Sequence, residues 1–155
     1  MKINLIAVGK QMPNWVEIAY QEYAKRLPPE YCFRLIEINA GKRNKNTDIN
    51  KLKIQEGELI LNAIPKGNKI IALDVLGQAW DTEKLSKQVK NWLGCGQDIS
   101  LLIGGPDGLS ESCLKAAEIK WSLSPLTLPH PLIRIIVAEQ LYRAWTILKG
   151  HPYHR

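Results

Sequence analysis

The chain has 155 residues, with 21 Lys+Arg against 15 Asp+Glu for a formal net charge of +6, three cysteines and three histidines. This length bounds it to one domain, which buries roughly 70% of the surface its unfolded form exposes and so needs no disulfide or structural metal to fold. Cys32, Cys95 and Cys113 are odd in number and far apart, with no C-x-x-C and no His at ligand spacing. That pattern supports neither a disulfide framework nor a zinc site, and points to a reducing cytoplasm. Ile3–Val8 is too short for a signal-peptide core, and no run approaches about 18 apolar residues, so neither export nor a membrane span is expected. The positive excess favours a polyanionic partner but is also common in ordinary soluble proteins, which leaves nucleic acid open on charge alone.

In chain order, apolar β-branched runs recur at Ile3–Val8, Phe33–Ile38, Ile70–Val75 and Ile99–Ile103, separated by segments whose apolar residues return every three or four positions. Trp15, Ile18/Ala19, Tyr23 and Leu27 mark a first helix opened by Pro13. Ile49, Leu52, Leu59/Ile60 and Ala63 mark a second, with Thr47 or Asp48 as N-cap. Gly57 inside it costs about 1 kcal/mol relative to Ala. Leu85, Val89 and Trp92/Leu93 mark a third, capped by Asp81 or Thr82. Buried strands joined by helices predict an α/β fold with a mainly parallel sheet. The chain has no repeat, low-complexity tract or interdomain linker.

The last third breaks this rhythm. A Gly-rich turn, Gly104-Gly105-Pro106-Asp107-Gly108, leads to a short helix, two brief apolar pieces around Trp121–Leu123 and Leu126–Leu128, and a long helix over Leu132–Leu148. On that helix Glu139, Gln140, Arg143 and Thr146 fall within one narrow polar arc, and the remainder calls for burial on more than one side. A second subunit in a twofold dimer supplies such a surface, and so does a central position in a monomer core.

Several segments carry possible chemistry. Leu101–Gly108 places glycines directly after a buried strand, where backbone amides approach a ligand at the carboxyl edge of a sheet. It is neither a Walker A loop nor G-x-G-x-x-G, so no triphosphate or dinucleotide is indicated, and a plain tight turn remains open. Leu73-Asp74-Val75-Leu76-Gly77 ends another strand beside a glycine, and two such strand ends suggest a shared pocket. Ser124–Pro131 holds three prolines in eight residues. This stiff loop suits holding a planar ring by main-chain hydrogen bonds, or acting as a rigid connector. Arg134 lies in the first turn of the long helix, where the dipole disfavours a cation, so either an anionic ligand or a structural salt bridge explains it. Glu139 and Arg143 form an ordinary i,i+4 pair. Gly41-Lys42-Arg43-Asn44-Lys45 fits either phosphate contacts or a solvated basic loop. The terminal His151-Pro152-Tyr153-His154-Arg155 combines a stacking ring, two imidazoles and a cation, groups that suit base stacking, proton transfer and phosphate contact.

Taken together, Ile3–Gly9, Ala40-Gly41-Lys42-Arg43, Leu101–Ser110, Leu123–Trp145 and His151–Arg155 make the whole chain resemble the small SPOUT-class methyltransferases, which methylate N3 of a pseudouridine in 23S-type large-subunit ribosomal RNA. The most specific combination is Ile103–Gly108, Leu128-Pro129-His130-Pro131-Leu132 and the terminal pentapeptide. The resemblance implies a single SPOUT domain over 1–155, an α/β fold with helices on both sheet faces, and a deep trefoil knot in about 100–150, which general topology rules disfavour. It implies a cytoplasmic homodimer that binds S-adenosylmethionine through Leu73, Gly104, Leu123, Ser124, Pro125, Leu126, Thr127 and Leu128. No metal is implied.

Methyl transfer from a sulfonium is an in-line displacement, so alignment and water exclusion dominate. Uracil N3 must also lose its proton, and no acid in the cofactor segments suits that task. The tail is then the expected source, with Tyr153 positioning the base, His151 or His154 assisting proton loss and Arg155 contacting RNA. Lys42, Arg43 and Arg134 are the remaining RNA-binding candidates, with a composite site across the dimer and an assembled ribosome as substrate. The rivals are a non-enzymatic RNA-binding factor and a small-molecule α/β enzyme.

Overall fold

The computed structural model describes residues 1–154. Five strands form one parallel sheet in the order β2-β1-β4-β3-β5: β1 (Ile3–Val8), β2 (Arg34–Ile38), β3 (Lys69–Ala79), β4 (Ile99–Ile103) and β5 (Ile119–Ser122). Strands β1 and β4 lie inside the sheet and every one of their residues is buried, which is why they read as apolar runs interrupted only by Asn4 and Ser100. Strand β3 runs farther than its apolar core because residues 74–77 bulge out between Leu73 and Gln78, both of which pair with Trp121. Asp74 closes that bulge by accepting from the Leu76 amide at 3.3 Å.

Alternation along the strands sends Ile3, Leu5, Ala7, Leu101 and Ile103 to one face and Ile6, Val8 and Leu102 to the other. The first face carries α1 (Asn14–Ala24), α3 (Thr82–Cys95) and α5 (His130–Lys149), whose Tyr20, Leu85, Val89, Val137 and Leu141 join that core. The second face carries α2 (Ile49–Ala63) and α4 (Glu111–Ala116), through Ile60 and Cys113. Asp48 and Asp81 cap α2 and α3 by accepting from the amides of Lys51 and Lys84. The face expected for α1 is corrected: Val16 and Tyr20 are buried, whereas Trp15 and Ile18 stand in solvent. Helix α5 packs against both α1 and α3 and buries Val137, Ala138, Leu141 and Ala144, while Ile133, Ile135, Ile136, Trp145, Ile147 and Leu148 stay partly exposed.

Gly57 is buried where α2 crosses the start of α4. A Cβ there would lie 2.2 Å from Ser110 Oγ and 2.9 Å from Ser110 Cβ. Ser110 in turn caps α4 by accepting from the Cys113 amide. Gly57→Ala is therefore expected to lower stability by about 1–3 kcal/mol through overpacking. Urea unfolding checks this; a gain of the size helix propensity alone supplies would contradict it.

Candidate active site

The bulge of β3 and the chain turns that follow β4 and β5 converge at the carboxyl edge of the sheet, the place where open α/β folds bind ligands. They enclose a cleft of about 830 Å³. Of the eight cofactor-binding candidates, Leu73, Gly104, Leu123, Ser124, Leu126, Thr127 and Leu128 line it, and Pro125 sits exposed on the same loop. Gly104 belongs here because a Cβ would lie 2.5 Å from the Gly108 carbonyl carbon. The turn beyond it is closed by Gly108 N–H donating to the Gly105 carbonyl at 3.0 Å, with Gly108 at φ +83°. The 123–128 loop is held by two local bonds, Ser122 Oγ donating to the Ser124 carbonyl and Leu126 N–H donating to Ser124 Oγ, each 3.0 Å. Thr127 and Leu128 keep their backbone groups without partners among the described residues, as a ring-binding edge requires.

The structure also brings residues to the cleft that the sequence had not singled out. Lys53 reaches it from α2, Trp121 from β5 and His130 from the first turn of α5. His130 is half-buried, its Nδ1 is shielded from solvent and has no partner, and burial pushes its pKa below the ordinary histidine value, with Arg134 and Arg43 adding to the shift.

The three basic candidates have different fates. Lys42 is exposed. Arg43 is held in a clamp, its two terminal nitrogens donating to Glu56 at 3.0 Å each and its Nε donating to Asp107 at 2.7 Å. Glu56, 3% exposed, also accepts from the Gly41 amide. Arg43 thus fastens the basic loop to α2 and to the Gly104–Gly108 turn. Arg134 is 1% exposed and donates to Glu37 at 2.7 Å, to the Gly9 carbonyl at 2.7 Å and to the Val8 carbonyl at 3.3 Å. The guanidinium of Arg134, the third RNA-binding candidate, is enclosed by protein and ties α5 to the end of β1.

The tail lies at the other end of α5. Tyr153 donates its hydroxyl to Glu139 at 3.2 Å, its ring packs 4.6 Å from that of Tyr142, and the Arg143 guanidinium stands 4.9 Å above it. Burial and the neighbouring Glu139 carboxylate raise the Tyr153 pKa. His151 is exposed and accepts at Nδ1 from the Tyr153 amide, and His154 is half-buried. Arg155 lies outside the described residues. Twelve residues of helix separate Tyr142 from His130, about 18 Å at 1.5 Å per residue, so the chain's own tail is not at its own cleft.

An α/β sheet with a ligand cleft built from three strand ends defines a binding or catalytic domain of the parallel-sheet class. The chain belongs to the SPOUT methyltransferase family: the family described as "Predicted SPOUT methyltransferase" matches residues 1–154. It is 59% identical over 155 residues to the ribosomal RNA large subunit methyltransferase H of Hahella chejuensis, covering 100% of this chain and 99% of that relative. Among solved structures, a probable methylase family protein of Haemophilus influenzae superposes with a TM-score of 0.59 at 11% identity, covering 99% of this chain and 70% of that one. A probable methyltransferase of Bordetella pertussis gives 0.59 at 13% identity, covering 92% and 95%. These two likenesses show the shared fold.

The cleft suits S-adenosylmethionine. Leu73, Leu123, Leu126 and Leu128 offer apolar walls for an adenine ring, free backbone groups on Thr127 and Leu128 offer its hydrogen bonds, and Asp74 adds a carboxylate to the lining beside Asp107, which is paired with Arg43. Among the described residues no His, Cys, Asp or Glu group is arranged to hold a metal ion.

Proposed function

We propose that this chain transfers the methyl group of S-adenosylmethionine to N3 of a pseudouridine in 23S-type large-subunit ribosomal RNA, acting on the assembled ribosome. The observation that carries the reading is the cleft that gathers Leu73, Gly104 and the 123–128 loop at one sheet edge. The name of the 59% identical relative supports the ribosomal substrate. When bound, S-adenosylmethionine supplies an electrophilic methyl carbon; the protein aligns the acceptor nitrogen with it and excludes water. Leu73, Gly104 and the 123–128 loop hold the cofactor, the last two within the segment of about 100–150 that forms the trefoil knot. Lys42 meets RNA directly, and Arg43 holds the loop that presents it. A ribosomal substrate makes the enzyme cytoplasmic.

The separation between tail and cleft makes a homodimer part of this reading. The second copy brings its tail to the cleft, where Tyr153 positions the base, His151 or His154 assists loss of the N3 proton, and Arg155 contacts RNA. Labelled S-adenosylmethionine offered to ribosomes carrying the pseudouridine, and to ribosomes whose uridine was never isomerised, is expected to label only the first. Label in neither, with cofactor bound, would overturn the acceptor; no cofactor binding would leave the RNA-binding factor as the better account.

A mixing experiment tests the shared site. A chain ending at Gly150 and a Gly104→Val chain are each expected to be inactive alone. After subunit exchange, activity returns to about a quarter of wild type, since random pairing makes half of the dimers mixed and each mixed dimer has one complete site. No recovery, with exchange verified by mass, would place the tail's action within its own chain.

A further inference from the structure

His130 occupies a particular place in the sheet edge. The cofactor segments follow β4 and β5 or sit at the bulge of β3, the basic loop follows β2, and β1 stands between the two groups in the strand order. Gly9, directly after β1, is where the imidazole rests: a Cβ on Gly9 would lie 3.4 Å from His130 Cε1 and 3.4 Å from Arg134 Nη2. On the neighbouring turn, a Cβ on Gly105 would lie 3.4 Å from Glu56 Oε1 and 3.5 Å from Arg43 Nη2. His130 therefore marks the boundary between the part of the cleft that takes cofactor and the loop that faces RNA. An acceptor entering from the basic side meets the methyl group there.

The chemistry of the ring follows from what surrounds it. Two guanidiniums act on its charge, Arg134 from α5 and Arg43 from the basic loop, against one carboxylate, Glu56 from α2. Glu37 from β2 and Asp107 from the turn are engaged with those guanidiniums, while Lys53 and Asp74 lie elsewhere along the lining. Burial and the two cations keep the imidazole neutral, with one N–H. A proton on the shielded Nδ1 would bury an unpaired donor; a proton on Nε2 buries only an unpaired acceptor, the cheaper defect. Nε2–H is then the group left for the cleft.

We propose that His130 is a catalytic residue that touches the acceptor base, donating from Nε2–H to a carbonyl oxygen beside the reacting nitrogen. This rests on the methyl-transfer reading above. In the step, the N3 proton passes to a separate base, a tail imidazole or water. The N3 electron pair forms the new bond to carbon, and the C–S pair stays with sulfur. No bond of His130 breaks. Charge displaced onto the carbonyl oxygen as N3 loses its proton is met by a fixed donor, and a neutral donor adds no cation beside the sulfonium.

The test measures single-turnover methyl transfer to pseudouridine-containing ribosomes and calorimetric S-adenosylmethionine affinity for wild type, His130→Ala and His130→Gln. His130→Ala is expected to slow transfer about 10²-fold, the scale for losing one such donor, with cofactor affinity held within about twofold. Gln, which keeps an N–H, is expected to recover about tenfold of that loss. In ¹⁵N-histidine spectra, the resonance absent from His130→Gln is expected to show a neutral Nε2–H ring at pH 7. An unimpaired His130→Ala overturns the proposal. So do a parallel loss of cofactor affinity that Gln does not restore, or a ring that is charged or protonated at Nδ1. Wild type that binds cofactor yet labels no ribosome overturns the function reading and this inference together; wild type that labels while His130→Ala keeps pace overturns this inference alone.

Discussion

Arg134→Met is expected to lower the unfolding free energy by about 3 kcal/mol, the lower end of what breaking a buried ion pair costs. The guanidinium is enclosed and serves three acceptors, Glu37 Oε2, the Gly9 carbonyl and the Val8 carbonyl. Methionine replaces the stem's packing but leaves those oxygens without their donor. Glu37 keeps 26% of its side-chain surface exposed and can rehydrate, which holds the loss near the lower bound; the two carbonyls sit deeper. In thermal unfolding the change corresponds to a fall of roughly 6–12 °C for a domain of this size. Adding Glu37→Leu removes the stranded carboxylate and is expected to return part of the loss, so the double-mutant cycle gives a coupling above about 1 kcal/mol. A loss under about 1 kcal/mol for Arg134→Met alone would mean that the pair barely offsets its own desolvation. The same arginine shows why a cation is tolerated in the first turn of α5, where the helix dipole opposes it: strand oxygens and a carboxylate surround it.

The strands were legible because β1 and β4 are buried on both faces and leave runs, Ile3–Val8 and Ile99–Ile103, that are apolar except at Asn4 and Ser100. The caps were legible because Asp48 and Asp81 act on amides three residues away. What depends on distant parts of the chain was not. Helix α1 is apolar on two sides, and spacing alone does not tell Trp15 and Ile18, which face solvent, from Val16 and Tyr20, which face the sheet. The run through Val75 continues the apolar pattern of β3, although residues 75 and 76 stand out on a bulge. Arg43 reads as one of several loop cations, yet Glu56 and Asp107, 13 and 64 positions away, hold its guanidinium together with the Gly41 carbonyl. A buried acid beside a buried glycine, Glu56-Gly57, is the local trace of that clamp. His130, between two prolines, reads as part of a connector, and only the fold of β1 under α5 brings it to Gly9. Three of the segments that pattern and resemblance marked for chemistry, Leu73, Gly104 and 123–128, meet because Leu73 sits where β3 bulges and the other two follow the parallel strands β4 and β5, so that all three share one edge. The tail follows a helix instead and ends elsewhere.

Gly104→Ala carries the largest expected effect on the cleft. The added Cβ would stand 2.5 Å from the Gly108 carbonyl carbon, 2.7 Å from its oxygen and 2.7 Å from the Leu109 nitrogen. All three are backbone atoms, so no side chain can swing aside and the turn itself must move. That turn contributes Gly105 to Gly108 to the cleft and holds Asp107 against Arg43 at 2.7 Å, so its displacement opens one wall and loosens the clamp on the basic loop. S-adenosylmethionine affinity is expected to fall by more than tenfold, equivalent to about 1.4 kcal/mol or more. Stability is expected to fall by about 1–3 kcal/mol through overpacking. Calorimetric binding and urea unfolding measure the two effects separately. Two other glycines separate crowding from conformation. Gly108 has open space around a Cβ but sits at φ +83°, so Gly108→Ala costs about 1–2 kcal/mol of backbone strain. Gly94, inside α3 with nothing within 4 Å of a Cβ, is expected to gain up to about 1 kcal/mol on Gly94→Ala, with cofactor binding unchanged. If Gly104→Ala binds cofactor as tightly as Gly94→Ala does, the Gly104–Gly108 turn is not a wall of the cofactor site, and the ligand would have to rest on Leu73 and the 123–128 loop alone.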